Sequence, residues 1–412
     1  MNTISKKDRE ILRELAKHLL GLANSKENEE VLNKWKLIER GEIGEPTVRF
    51  LVSNFTNETI TSRLKCEGEN ARDLEFGLLI SSAGRELFND DTPLTGEFLI
   101  HQNLWVTPFN TPAKRISAEG ENAKGYHIEP VINDLEEDFD RLTVGDYGSN
   151  IQETNEKIEF ARDVFGDILL VKGVMGSLSG PITSPLVHLM GMQNYYLSMY
   201  DYPDLLHKVM NNACKIYEQF YDYLEDQGLL LPTAGVSPVA QESFAFNNEL
   251  PKDRATKTTD CWGFLESQET TAVSSDTFAE FVFPYQDRLA KRFGLLSYGC
   301  CERVDDIWEH ISGWENLRKL SVSPFNDERR VGEYLRGSNI VYYSKPRAEH
   351  VTIPGPLDED AIIDCFKGIA EAASGCMLEV AQREVGTIFG DYNRGRRYVE
   401  LAKQTIDKYW KH

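Results

Sequence analysis

Cys300 and Cys301 are adjacent and a third cysteine, Cys376, opens a later apolar run, while Glu266, Glu269 and Glu302 stand at the ends of similar runs. A thiolate is both a nucleophile and a metal ligand. Two thiolates and one carboxylate would give zinc three protein ligands and leave a fourth position open, as in a catalytic rather than a structural site. A substrate thiol could enter that position, or an ether oxygen could coordinate there and become a better leaving group. Glu266, Cys300 and Cys376 form the candidate ligand set, with Glu269, Glu302 and Cys301 as rivals. The plain alternative is packing, because free cysteine is among the most buried residue types. A Cys-Cys pair also lacks the separation of a zinc knuckle. In an extended strand only one of the two neighbours would face a pocket. Tyr298 and Lys345 lie at strand ends and are candidates to line it; for Lys345 a Schiff base, an anion contact and a salt bridge all stay open.

Other chemistries are excluded by what is missing. No His-x-x-x-His or His-Glu-x-x-His spacing occurs among His101, His127, His188, His310 and His350, which removes a zinc protease. No Gly-x-Ser-x-Gly elbow anchors a hydrolase triad. With 45 Lys+Arg against 66 Asp+Glu, the formal charge of −21 argues against nucleic acid and anionic membranes as partners. Seven cysteines without a regular framework fit a reducing compartment. The first 30 residues read as an amphipathic helix interrupted by charges, not a signal peptide, and no run is apolar enough to span a bilayer. A cytoplasmic protein is expected.

The elements that must hold these residues follow from periodicity. After a charged helical start, residues 45–60 and 95–108 read as strands, and 110–150 as irregular surface with a solvated helix face at LEEDFDRL, 135–142. From 157 onward helices alternate with apolar strands at 167–174, 229–236, 261–267, 295–301, 318–324, 339–346 and 376–382. Such alternation argues for a parallel sheet with helices outside. The expected fold class is α/β, a (β/α)8 TIM barrel in residues 151–412 with an α+β extension in residues 1–150 that caps the mouth or contributes to the barrel. A doubly wound open sheet is the runner-up, weakened by the lack of a Gly-x-Gly-x-x-Gly turn or P-loop.

The segment GFLESQETTAVSSDTFAEFVFPYQDRLAKRFGLLSYGCCERVDDIWEHI, with LRKLSVSPFNDERRVGEYL and IVYYSKP after it, resembles the uroporphyrinogen decarboxylase-like superfamily. The likeness spans roughly residues 160–400 and is strongest over 261–346. It implies a (β/α)8 barrel, and is closer to the zinc- and corrinoid-dependent methyltransferases than to the decarboxylase, whose Arg-rich N-terminal motif has no counterpart in residues 1–60. Aligned by strand order, Tyr298-Gly299-Cys300 falls on the His-x-Cys of those methyltransferases and Cys376 on their distant cysteine; tyrosine for histidine is a departure, with Glu266 as the replacement ligand. The resemblance implies Zn²⁺, a small methylated substrate, a methoxylated one included, and a corrinoid (cobalamin) on a separate partner protein, since no Asp-x-His-x-x-Gly loop occurs here. The other readings are a decarboxylase-like lyase, with Lys345 and arginines clamping carboxylates, and a non-catalytic barrel that binds a small molecule. A homodimer is among the assemblies the sequence allows.

Overall fold

The computed structural model describes residues 4–117 and 126–412. Residues 118–125, part of the stretch expected to be irregular, lie outside the described residues. Seven strands form one parallel sheet in the order β1 (Thr47–Phe50), β15 (Met377–Gln382), β14 (Val341–Ser344), β13 (Leu317–Val322), β12 (Leu295–Tyr298), β11 (Trp262–Leu265) and β8 (Leu178–Ser179). The remaining strands pair off: β2 (Glu97–His101) with β7 (Leu170–Val174) in parallel, and β3 (Leu104–Thr107) with β6 (Asp146–Ser149), β4 (Lys114–Ser117) with β5 (Tyr126–Glu129), and β9 (Gly235–Val239) with β10 (Ser243–Ala245) in antiparallel. Chain segment 170–179 carries both β7 and β8, and so belongs to two sheets.

Every residue of β12, β14 and β15 is buried, as expected of strands covered on both faces. Helices supply the outer cover. The last, Tyr392–Tyr409, buries Tyr398, Val399, Leu401, Ala402 and Ile406 along one face, the stripe an amphipathic surface helix needs. At the other end of the chain Ser5 caps the helix Lys6–Ala23 by accepting from the Asp8 N–H, and Leu12, Ala16 and Leu19 face inward.

Among the described residues no ladder joins β1 to β2. The free edge of β1 is satisfied by side chains instead: the Val48 N–H donates to Asp91 (2.8 Å) and the Phe50 N–H to Asp90 (2.9 Å). The Asp91 N–H returns a bond to the Val48 carbonyl at 2.8 Å. Asp90 lies so close to the helix Glu69–Phe88 that a Cβ at Gly84 would collide with its carboxylate.

Two expected elements differ. Residues 229–234 are not a strand of the parallel sheet; Pro232 breaks the run, and Gly235–Val239 folds back on Ser243–Ala245 as a hairpin. That hairpin lies against the sheet, where Ser243 donates to Glu379 (3.0 Å) and Glu379 pairs with Lys319 at 2.7 Å, both charged groups being fully enclosed. A buried pair of this kind persists only when its remaining valences are also met. In LEEDFDRL only Phe139–Leu142 forms a short 3-10 turn, and Leu135 and Leu142 are buried, so the segment is pinned by its leucines rather than solvated along a helix face. No helix among the described residues is long and apolar enough to cross a membrane.

Candidate active site

All seven strands of the main sheet run the same way, so their C-terminal ends share one edge, and the loops after β11, β12 and β14 meet there. Gly299 ends β12 with φ +99°, a backbone state that glycine adopts without a Cβ clash. Because the chain leaves the strand at that point, alternation no longer holds, and the Cys300 and Cys301 sulfurs lie 3.8 Å apart on the same side. The expected alternation of the two side chains required an extended strand, and the pair lies in the loop beyond it. Cys300 donates to Gln268 Oε1 at 3.1 Å. The Lys345 ammonium, from the end of β14, donates to the Cys300 carbonyl and to Gln241 Oε1, each at 2.6 Å.

Gln241 has no sequence signature for this role. It sits at the tip of the β9–β10 hairpin, where Gln241 (φ 59°) and Glu242 (φ 65°) are both left-handed. Non-glycine residues in that region cost on the order of 1 kcal/mol each and are retained where surrounding contacts over-determine them. Here the contacts are the Gln241 amide donating to the Gly299 carbonyl (3.0 Å), its carbonyl accepting from the Tyr343 hydroxyl (2.6 Å), and the bond to Lys345.

Three glutamates stand at this edge. Glu302 is buried and accepts from the N–H groups of Ser267 (2.8 Å) and Cys300 (2.6 Å). Burial still outweighs these bonds and the Lys345 charge, holding Glu302 above the usual carboxylate range. Glu266, just past β11, accepts from the Gln268 N–H at 2.9 Å and is pushed well up, first by burial and then by the negative charges of Glu269 and Glu302. Both causes disfavour the charged form and so favour the protonated carboxyl group. Glu269 accepts from the Thr183 hydroxyl at 2.7 Å. The thiols split in the other sense. The bond from Cys300, opposed by burial and aided by Lys345, draws the exposed Cys301 down to about 6, whereas that bond and burial push Cys300 up. One edge thus holds a thiol shifted toward ionisation and a carboxyl group shifted toward protonation.

Of the residues selected from sequence, the structure brings Glu266, Cys300 and Lys345 to this edge, with the rivals Glu269, Glu302 and Cys301. It does not bring Cys376 there. Cys376 precedes the first residue of β15 and so lies at the opposite edge, fully buried, its sulfur 3.5 Å from the Gly332 carbonyl. A strand of this length separates the two edges by roughly 15–20 Å. Glu266, Cys300 and Cys376 therefore cannot share an ion. Among the described residues no group of three or more His, Cys, Asp or Glu side chains is placed to hold a metal. The residues present do not fit the zinc centre implied by the resemblance. Tyr298 also departs from its expected place: its hydroxyl donates to Gln286 (3.1 Å), lies 3.0 Å from the Ser267 hydroxyl, and its ring meets Trp314 edge-on. It packs the sheet against the helices rather than lining the pocket.

No family model matches the sequence, and no curated protein matches it. Two solved structures are similar in outline. A methyltransferase from Methanosarcina mazei is 13% identical, with 92% of this chain and 98% of that one covered, at a TM-score of 0.49. A B12-independent methionine synthase from a Shewanella species, in complex with selenomethionine, is 12% identical, with 74% and 77% covered, at a TM-score of 0.35. Likenesses this slight transfer no residue role.

Proposed function

We propose that this chain is a methyltransferase that moves a methyl group between a small methylated compound, a methoxylated one included, and a corrinoid carried on a separate protein. We also infer that the parallel strands close as a (β/α)8 barrel, with segment 170–179 linking the two sheets and the Asp90–Asp91 cap standing at the seam between β1 and β2.

The observation that supports the reading is that the loops after the paired strands β11 and β12 place Glu266 and Cys301 at one edge of the sheet, where the carboxyl group is shifted toward its protonated form and the thiol toward its ionised form. Cleaving a methyl–oxygen bond needs a nucleophile at carbon and a proton at the departing oxygen. The Cys301 sulfur attacks the methyl carbon, the carbon–oxygen bond breaks, and the oxygen takes the Glu266 proton to leave as an alcohol. The chain then carries S-methylcysteine at 301 and a Glu266 carboxylate. A sulfur whose thiol ionises near 6 is also a good leaving group, and Lys345 and Cys300 stand ready to stabilise the thiolate as the methyl departs. The corrinoid, when its carrier docks, supplies the acceptor. No step runs through zinc.

The test is incubation of the full chain with a methoxylated aromatic donor and reduced cobalamin, with methylcobalamin followed by absorbance and Cys301 by peptide mass. Methyl transfer with a transient mass gain of one methylene on the Cys301 peptide supports the reading. Release of carbon dioxide from a carboxylated substrate, or transfer that survives Cys301→Ser undiminished, overturns it.

A further inference from the structure

Between β1, β2, the helix Glu69–Phe88 and the β9–β10 hairpin lies a cavity of about 450 Å³. Its walls are mainly apolar, formed by Leu51, Ile80, Pro93, Phe98, Leu99 and Phe244. At one end stands Arg49, on the middle of β1 and only 6% exposed. A terminal nitrogen donates to the Glu242 carbonyl, and the guanidinium lies over the Phe244 ring, 4.1 Å from its centroid. Its Nε has no partner.

No carboxylate pairs with Arg49 among the described residues: Asp90 feels its charge from beyond ion-pair distance, and Glu97 on the cavity wall pairs with Lys172 at 2.6 Å. Asp90 accepts from the N–H groups of Phe50 and Thr92 and from the Thr92 hydroxyl. Glu379 pairs with Lys319, and the Glu242 carboxylate faces Arg383 at 3.5 Å. Arg49 is thus a buried cation without an ion-pair partner among the described residues, an arrangement that is costly unless an anion completes it. We propose that the cavity binds the carboxylate of a small monobasic organic acid, with Arg49 as the anchor and the apolar walls holding its hydrocarbon body. The volume falls within the ~300–1,000 Å³ usual for small-molecule pockets. A single negative charge matches the single guanidinium that the cavity presents.

This site is distinct from the thiol cluster, though the two share the hairpin tip: Gln241 bonds Lys345 on one side, and the Glu242 carbonyl receives Arg49 on the other. The proposal does not depend on the methyl-transfer reading.

Calorimetric titration of the full chain with benzoate, against the uncharged benzamide, tests it. Benzoate should bind saturably and at least about tenfold more tightly than benzamide. Arg49→Met should weaken benzoate by about tenfold or more, and Ile80→Trp, which fills the cavity from the helix, should do the same without changing the melting temperature. If Arg49→Met does not fold, the benzoate-to-benzamide ratio in the parent and the Ile80→Trp variant decide the matter. Equal binding of the two probes, benzoate binding undiminished in Ile80→Trp, or no saturation by benzoate or hexanoate up to about 20 mM overturns the proposal. Cys301→Ser should bind benzoate as the parent does; loss of binding there would put the acid in the thiol cluster and overturn the assignment as well.

Discussion

Cys301 and Cys376 are the same residue type at opposite edges of one parallel sheet, and their chemistry differs because of where the strands end. Cys301 follows a glycine turn at a C-terminal edge, is exposed, and has a thiol and an ammonium beside it, which together draw it down to about 6. Cys376 sits before a strand, enclosed, and burial pushes it up to about 11. Reactivity here belongs to the edge, not to the residue. Loops after parallel strands gather several chain segments at one place, and groups from different segments can then shift one another's ionisation.

The largest effect that sharpens this contrast is on turnover. Cys301→Ser should lower methyl transfer by about 10³-fold and Glu266→Gln by about 10²-fold, while Cys376→Ser leaves it within about twofold. Steady-state rates of the three variants check this, and a large loss in Cys376→Ser would erase the distinction between the edges. The next effect is on labelling. Iodoacetamide should modify Cys301 in the native chain with a midpoint near pH 6 and leave Cys376 untouched; Lys345→Met removes a cation and should move that midpoint upward, by about one unit. Mass spectrometry of the labelled peptides reads both.

A smaller effect is on stability. Burial raises Glu328 to about 7, with Arg347 opposing. A carboxyl raised on folding keeps its proton longer than in the unfolded chain, so the parent should lose stability as pH rises from about 4.5 to 7, by up to about 2 kcal/mol. Glu328→Gln should remove that slope in denaturant titrations and be the more stable chain at pH 8. Smallest is the outcome for metal. Cys376→Ser should leave the zinc content of the purified chain unchanged and cost about 1 kcal/mol of stability. A loss of zinc on that substitution, read by elemental analysis, would rejoin the two edges in a single centre.

Much of this arrangement was legible in the sequence. Helices alternating with apolar strands mark the parallel sheet, and placing Glu266, Cys300 and Lys345 at strand ends puts them at one edge. The same reading has the last strand opening at Cys376, which is already the signal that this cysteine belongs to the other edge; the resemblance to a Cys-containing family pulled it across. Tyr298 was misplaced because it was chosen for its place at a strand end, which does not say which way a side chain turns. The hairpin was missed because LLLPTAGV is as apolar as a buried strand, and two left-handed non-glycine residues at Gln241 and Glu242 leave no compositional mark. Arg49, Lys319 and Glu379 did leave one: a charge in the middle of an otherwise apolar strand points to an enclosed partner or ligand.

The aspartate cap on β1 has a consequence for how these molecules behave in a crowd. An uncovered strand edge is a template onto which another chain can add a strand, and so a route to fibrils and precipitates. With Asp90 and Asp91 taking the Phe50 and Val48 N–H groups, and both side chains enclosed, that template is covered and presents no free donor on those residues. The edge left without a ladder is thereby closed to an added strand.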